Sequence, residues 1–224
     1  RIIKTLNVVK DNLVVEAKGI YSIEKFLISR RLMYWQVYLH KTVLSAENLL
    51  INILKRAKEL SSSKTKLFAT PSFALFLENN FTKEDFVDKP NLLEKFAQLD
   101  DYDVMASVKA WAECDDFILS TLCKNMLDRN LYKIELQNED IAPSHKNKLI
   151  DSVVKKYGIT RKEASYFVFS ESVNNSAYNS SDHNINILYS NGKLADVATA
   201  SDLLNIQALS KPVTKHYICY PKDL

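Results

Sequence analysis

The sequence predicts an α+β protein that is predominantly α. Three observations lead there. Residues 21–60 contain neither Pro nor Gly and repeat apolar side chains near the helical period. Beyond Tyr132 the character changes to aromatic and β-branched runs with an Asn191-Gly192 turn pair. Only three glycines occur in 224 residues, which argues against a Gly-rich phosphate loop or a dinucleotide fold. The expected organisation is a hairpin plus helical region over 1–130, followed by a small ferredoxin-like α+β lobe over 131–224.

Taken in order, residues 1–18 alternate loosely around Lys10-Asp11-Asn12 and read as a β-hairpin. From about 21 to 60 the pattern predicts one very long helix, roughly 60 Å at 1.5 Å per residue. Ser61–Lys66 (SSSKTK) ends it as a loop. Thr82 with Asp85 resembles a capping box, and Pro90 opens another helix. Residues 100–129 form one helix, or two separated near Asp115-Asp116.

Residues 132–137 (YKIELQ) read as a strand. Ser144 is expected to cap a helix running to Tyr157, with Gly158 as its stop. Thr160 and Glu163 match a capping box, but the run Tyr166–Phe169 favours strand. The Ser/Asn-rich stretch 174–184 reads as a solvated loop. Residues 185–197 form a hairpin around Asn191-Gly192, Ser201 caps a short helix to Ser210, and residues 216–220 make a last strand.

A net charge of +3 is too weak to argue for nucleic acid by itself. Three cysteines (Cys114, Cys123 and Cys219) without metal-type spacing fit a reduced, cytoplasmic compartment. No apolar run is long enough for a membrane span, and the start does not resemble a signal peptide. The chain opens on Arg1 rather than Met, which suggests a fragment, a processed product or a trimmed chain.

The densest chemistry lies in RRLMYWQVYLHKT, residues 30–42. On a continuous helix Arg30, Tyr34, Tyr38 and Lys41 would share a face, within an arc of about 80°. Arginine offers a planar fork matched to phosphate oxygens, tyrosine a flat surface with a hydroxyl, and lysine a mobile positive charge. Such a face suits a nucleotide. It equally suits a helix–helix interface, where aromatic bodies pack and polar tips find partners. His40 points to a neighbouring side.

Elsewhere, His145 reads as exposed, His183 as part of a solvated loop and His216 as a sheet residue. Asp100, Asp101, Asp103, Asp115 and Asp116 could hold Mg²⁺, but they stand at helix starts, where the helix dipole favours acids. Cys123 reads as core. The basic run Lys146, Lys148, Lys155, Lys156, Arg161 and Lys162 is either a solvated face or a contact for a phosphate-rich partner.

The opening RIIK, the hairpin after it, and GIYSIEKFLISRRLMYWQVYLHKT resemble the segment following the catalytic domain of HD-superfamily phosphohydrolases. The likeness is to the SAM-and-HD-domain-type dNTP triphosphohydrolases. It rests mainly on Arg30 followed by Tyr38-Leu39-His40-Lys41, with weaker support from residues 128–133 (DRNLYK).

By that resemblance Arg30 corresponds to a triphosphate contact and Tyr38 to a residue packed on deoxyribose. Tyr34 stands where relatives can have His. His40 and Lys41, with Arg1 and Lys18, fall near a regulatory nucleotide site. The family's metal motif (a His, a His-Asp pair and a later Asp) is absent, since no His here precedes Asp. The resemblance therefore implies a divalent metal (Mg, Mn, Fe, Ni or Zn) in an HD domain outside this sequence, and a chain that is inactive alone. It also implies a nucleotide or related phosphate ester as ligand and a homo-oligomer. Two other readings stay open: a non-enzymatic helical interaction module, and a nucleic-acid-binding region using the basic run at 146–162.

Overall fold

A computed structural model describes residues 2–175, 178, 184–201 and 213–224. The protein is α+β and predominantly α. Its helices are α1 (Ile20–Met33), α2 (Lys41–Ser62), α3 (Pro71–Glu78), α4 (Lys83–Asp88), α5 (Pro90–Ala97), α6 (Asp101–Trp111), α7 (Phe117–Leu127), α8 (Pro143–Tyr157), α9 (Arg161–Ala164) and α10 (Val197–Ala200). The strands are β1 (Leu6–Val9), β2 (Asn12–Glu16), β3 (Lys133–Gln137), β4 (Phe169–Asn175), β5 (Asn186–Leu188), β6 (Leu194–Asp196) and β7 (Val213–Tyr220).

The chain groups into two compact units, each built from three segments. The first comprises Arg1–Val43, Leu136–Asp140 and Glu171–Tyr217; the second comprises Leu44–Glu135, Ile141–Ser170 and Ile218–Leu224. A division at residue 130 therefore does not describe them. The ferredoxin-like lobe is also corrected, because its expected strands fall into two sheets. One sheet has the order β1-β2-β5-β6 and the other β3-β7-β4.

In the first unit β1 and β2 are antiparallel, with Leu6 opposite Val15 and Val9 opposite Asn12. Lys10 and Asp11 both take positive φ, 49° and 59°, so the two-residue turn is of the primed type that matches strand twist. β2 then pairs parallel with β5, Val15 opposite Ile187. β5 and β6 form the expected hairpin, Ile187 opposite Ala195. Val15, Ile23, Leu27, Ile187 and Val197 make the apolar core here. Glu24 is buried within this unit, and Ser201 Oγ donates to its Oε1, which answers the need of a buried carboxylate for a partner.

Gly19 lets α1 start against this hairpin. A Cβ at that position would lie 2.5 Å from Thr5 Oγ1 and 2.7 Å from Val15 Cγ1, closer than real Cβ contacts allow. The constraint is close approach, since Gly19 has ordinary negative φ of −90°.

The second unit is helical around fully buried Leu49, Ile53, Val108, Trp111 and Leu119. The capping boxes expected at Thr82 and Thr160 are present, and Asp100 and Asp116, expected only to stand at helix starts, cap those helices. Asp100 accepts from Tyr102 and Asp103 amides, Asp116 accepts from the Leu119 amide, and Thr82 and Thr160 form capping boxes with Asp85 and Glu163. Residues 100–129 are thus two helices. The Thr160 box opens a one-turn helix and strand β4 starts only at Phe169, so Tyr166–Val168 are not strand. Ser144 is not a cap; Pro143 at the first helical position starts α8, and Gly158 (φ 65°) stops it. The helix expected at 201–210, beyond Ser201, lies outside the described residues.

One polar network joins distant segments of this unit. Arg56 grips Asp116 with two bonds, Nε–Oδ1 at 3.1 Å and Nη2–Oδ2 at 2.6 Å, and reaches Glu59 Oε2 at 2.7 Å. Glu59 also accepts from Lys162 Nζ at 2.6 Å and Tyr166 Oη at 2.7 Å. These donors hold the Glu59 carboxyl down at about 2, with Lys162 the largest influence, against an ordinary value of 4.5.

Two predictions follow from this packing. Gly19→Ala is expected to lower stability by about 1–3 kcal/mol, read as the urea midpoint, with partial recovery in a Thr5→Ala background. For Glu59, a depressed folded pKa means stability that is complete above the ordinary value and lost as pH falls through about 2. Wild type minus Glu59→Gln should therefore lose about 2 kcal/mol between roughly pH 4.5 and 2. Parallel pH–stability curves for the two proteins would disprove the assignment.

Candidate functional site

The expected 40-residue helix is interrupted at its most aromatic point. After α1 the backbone widens into a π turn, Tyr34–Tyr38, in which the Leu39 amide donates to Tyr34 O, five residues back, at 2.7 Å. Leu39 then leaves helical geometry (φ −100°, ψ 17°). The His40 Nδ1 accepts from the Thr42 amide at 3.2 Å, the bond of an N-cap, and α2 starts at Lys41. With neither Pro nor Gly present, the break is made by the π turn and an imidazole cap. Lys41 is consequently not on one continuous helical face with Arg30, Tyr34 and Tyr38.

Those three do come together. With Phe26, Ser29 and Met33 they line an open groove of about 410 Å³. Arg30 Cζ lies 5.4 Å from the centre of the Tyr34 ring, a cation–π distance. Its Nη2 is 3.5 Å from Tyr34 Oη, long for a hydrogen bond. The Tyr34 and Tyr38 ring centres are 5.1 Å apart and tilted by 55°. The groove thus presents a guanidinium fork, two phenol hydroxyls and an apolar wall of Phe26 and Met33. Such a surface can take an anion at one end and a flat or ring-shaped group beside it.

Phe26 and Met33 are apolar, yet Phe26 is 51% exposed and Met33 44%. Their spacing from Arg30, four residues before and three after, was the available signal for a shared face. Leu32 and Val37 are also half exposed, so the described residues do not bury them.

The regulatory candidates are elsewhere. Lys18 is ion-paired to Glu16 Oε2 at 2.5 Å and holds that carboxyl below its usual range. It borders a second groove of about 470 Å³ with Glu16, Leu188, Tyr189 and Ser190, at the carboxyl ends of the parallel pair β2 and β5. His40 and Lys41 line neither groove. Arg1 and His183 lie outside the described residues.

His145 is not an exposed free imidazole. Its Nε2 is 2.9 Å from Glu135 Oε2, and Glu135 also accepts from Tyr220 Oη and lies 3.3 Å from Lys133 Nζ. His216 Nδ1 is 3.0 Å from Asp140 Oδ1. Burial pushes the Cys123 thiol up to about 12, which makes it an inert core residue. Among the described residues no group of three or more His, Cys, Asp and Glu could hold a metal ion. A divalent metal of the kind expected therefore has no fit in them, and Asp116 is explained by its cap and by Arg56.

Much of the basic run is engaged within the second unit. Lys146 donates to Ser170 Oγ, Lys156 pairs with Asp223, Arg161 pairs with Asp151, and Lys162 pairs with Glu59. A face so neutralised offers a polyanion less than its composition suggests. No helix among the described residues is long and apolar enough to cross a membrane.

Residues 1–75 match the family model described as "HD associated region". The whole chain is 29% identical over 235 residues to the uncharacterized protein YwfO of Bacillus subtilis (strain 168), covering 50% of that protein. A crystal structure of a phosphohydrolase from Bacteroides thetaiotaomicron VPI-5482 superposes with a TM-score of 0.89 at 47% identity, over 98% of this chain and 55% of that one. A hypothetical protein from Aquifex aeolicus shares the fold, with a TM-score of 0.57 at 24% identity, over all of this chain and 48% of that one. The chain therefore spans about half the length of these relatives. Its first third matches the HD-associated region model, and the match to a phosphohydrolase structure runs nearly end to end.

Because Arg30 and Tyr38 are exposed, Arg30→Ala and Tyr38→Ala should each change unfolding free energy by no more than about 0.5 kcal/mol. Leu27→Ala on the buried side of the same helix should cost about 2–5 kcal/mol. Denaturant midpoints of the three variants separate surface groove from core.

Proposed function

We propose that this chain is the substrate-clamping part of an HD-type nucleotide phosphohydrolase, similar to the dNTP triphosphohydrolases, acting in the cytoplasm. The observation that carries the reading is the Arg30–Tyr34–Tyr38 groove, set in the segment that matches the HD-associated family model. Similarity to a phosphohydrolase structure over nearly the whole chain supports it.

In this reading Arg30 spreads its fork across phosphate oxygens of the bound nucleotide. Tyr38 lays its ring against the sugar, and Tyr34 stands between them. Phe26 and Met33 exclude water from the apolar side. Tightening the phosphate while holding the sugar fixes the direction from which water can reach phosphorus, so positioning is this chain's contribution. The metal-bearing residues belong to an HD part outside this sequence, and the chain alone is inactive.

Lys41, with Lys18 and Arg1, is assigned to a second, regulatory nucleotide; His40, whose Nδ1 already accepts from the Thr42 amide, is left out of that set. The half-exposed Leu32 and Val37, which do not line the groove, favour burial against further protein, either the HD part or another copy in a homo-oligomer.

The test uses the full-length protein. A dNTP with Mg²⁺ or Mn²⁺ should raise its melting temperature, as any ligand selective for the folded state must. Arg30→Ala should weaken binding about 10–100-fold, the effect of losing a charged hydrogen-bonding pair. If no dNTP shifts melting and no phosphate product is released from any of them, the proposal fails.

A further inference from the structure

The groove exists because the helix is wound differently on its two sides. In an unbroken α-helix each step of four residues advances about 40°, so Tyr38 would stand about 80° round the axis from Arg30. The π turn winds less per residue, and it occupies only the second of those steps, Tyr34–Tyr38. It cancels advance and keeps Tyr38 on the Arg30 side, where both line the same groove. Such turns are rare and need external support.

Two contacts give that support. His40 Nδ1 takes the Thr42 amide and so starts α2 immediately after the turn, which stops the α-helix from running on through Leu39. Lys215 Nζ, on β7, sits 4.8 Å from the centre of the Trp35 ring, and Trp35 is the second residue of the turn. Trp35 is thereby tied to a strand while its neighbours Tyr34 and Tyr38 line the groove.

We infer that His40 and the Trp35–Lys215 pair are positioning residues, which hold the π turn so that Tyr38 stays aligned with Arg30 over the bound nucleotide. This rests on the proposed nucleotide reading for its ligand, but not for its geometry. His40 acts here through a backbone amide and not by touching a nucleotide.

The experiment compares His40→Ala with His40→Asn in the full-length protein, since asparagine is a favoured cap and alanine is not. Lys215→Met and Lys215→Arg make the second pair, because arginine keeps the cation over the ring. KM for dGTP should rise about fivefold in His40→Ala and Lys215→Met, with kcat within about twofold, and should return to wild type in His40→Asn and Lys215→Arg. Emission from Trp35, isolated as the difference between each protein and its Trp35→Phe counterpart, should shift in the two loss variants and not in the two conservative ones.

Equal KM increases in His40→Ala and His40→Asn would mean the imidazole touches ligand, and would overturn the inference. Unchanged Trp35 emission in both loss variants would also overturn it. If wild type neither binds nor hydrolyses dGTP, the nucleotide reading fails, and the emission arm still decides whether the turn is held as inferred.

Discussion

The first unit depends on one close approach, that of Gly19 to Thr5 and Val15. It sets where α1 leaves the hairpin. Everything that the candidate site needs is then measured along that helix: Ile23 and Leu27 go into the core, and Phe26, Arg30 and Met33 go to the other side. A methyl group at position 19 would push the helix start away from β2. Because the helix is stiff, that shift is carried to Arg30, three turns further on. The glycine is far from the groove in sequence, yet it fixes the wall on which the groove is built.

Local signals were the legible ones. The capping box at Thr160, the acidic helix starts at Asp100 and Asp116 and both hairpins could be read because each depends on residues no more than a few positions apart. The parallel pairing of β2 with β5 could not, since it joins residues 172 positions apart, as with Val15 and Ile187, and neither strand records its partner. That pairing removed the second hairpin from the lobe expected at the C-terminus. The aromatic run Tyr166–Val168 shows the opposite failure. Its strand propensity is real, but Phe167 and Val168 are buried directly after a capped helical turn, so tertiary packing decided.

The site was half legible for a related reason. Arg30, Tyr34 and Tyr38 line one groove, as their spacing predicts, because four-residue spacing survives a modest change in helical winding. Lys41 was wrongly added to their face because nothing in the residue types announces a π turn. Charge showed the same limit. The basic run at 146–162 reads as a patch in one dimension, while three of its partners, Glu59, Asp223 and Ser170, lie at least 24 positions from the cations they hold.

The mixed palette of residues 30–42 now has a physical account. A core helix needs one apolar face, and α1 has that face in Ile23 and Leu27, which are buried. Together with the π turn after it, it carries a second apolar set, Phe26, Leu32, Met33 and Val37, which the described residues leave half exposed. A helix with apolar groups on two sides has two neighbours to satisfy, and periodicity blurs when the two sets overlap. Polar tips on Tyr34 and Tyr38 and the charge of Arg30 suit the groove on that second side to something wet and anionic rather than to a dry protein core. Among the described residues the Arg30 guanidinium has one long contact, to Tyr34 Oη, and a dry apolar interface would add none, a poor exchange for its hydration. An anionic ligand restores those bonds, and that difference favours a binding wall over simple packing.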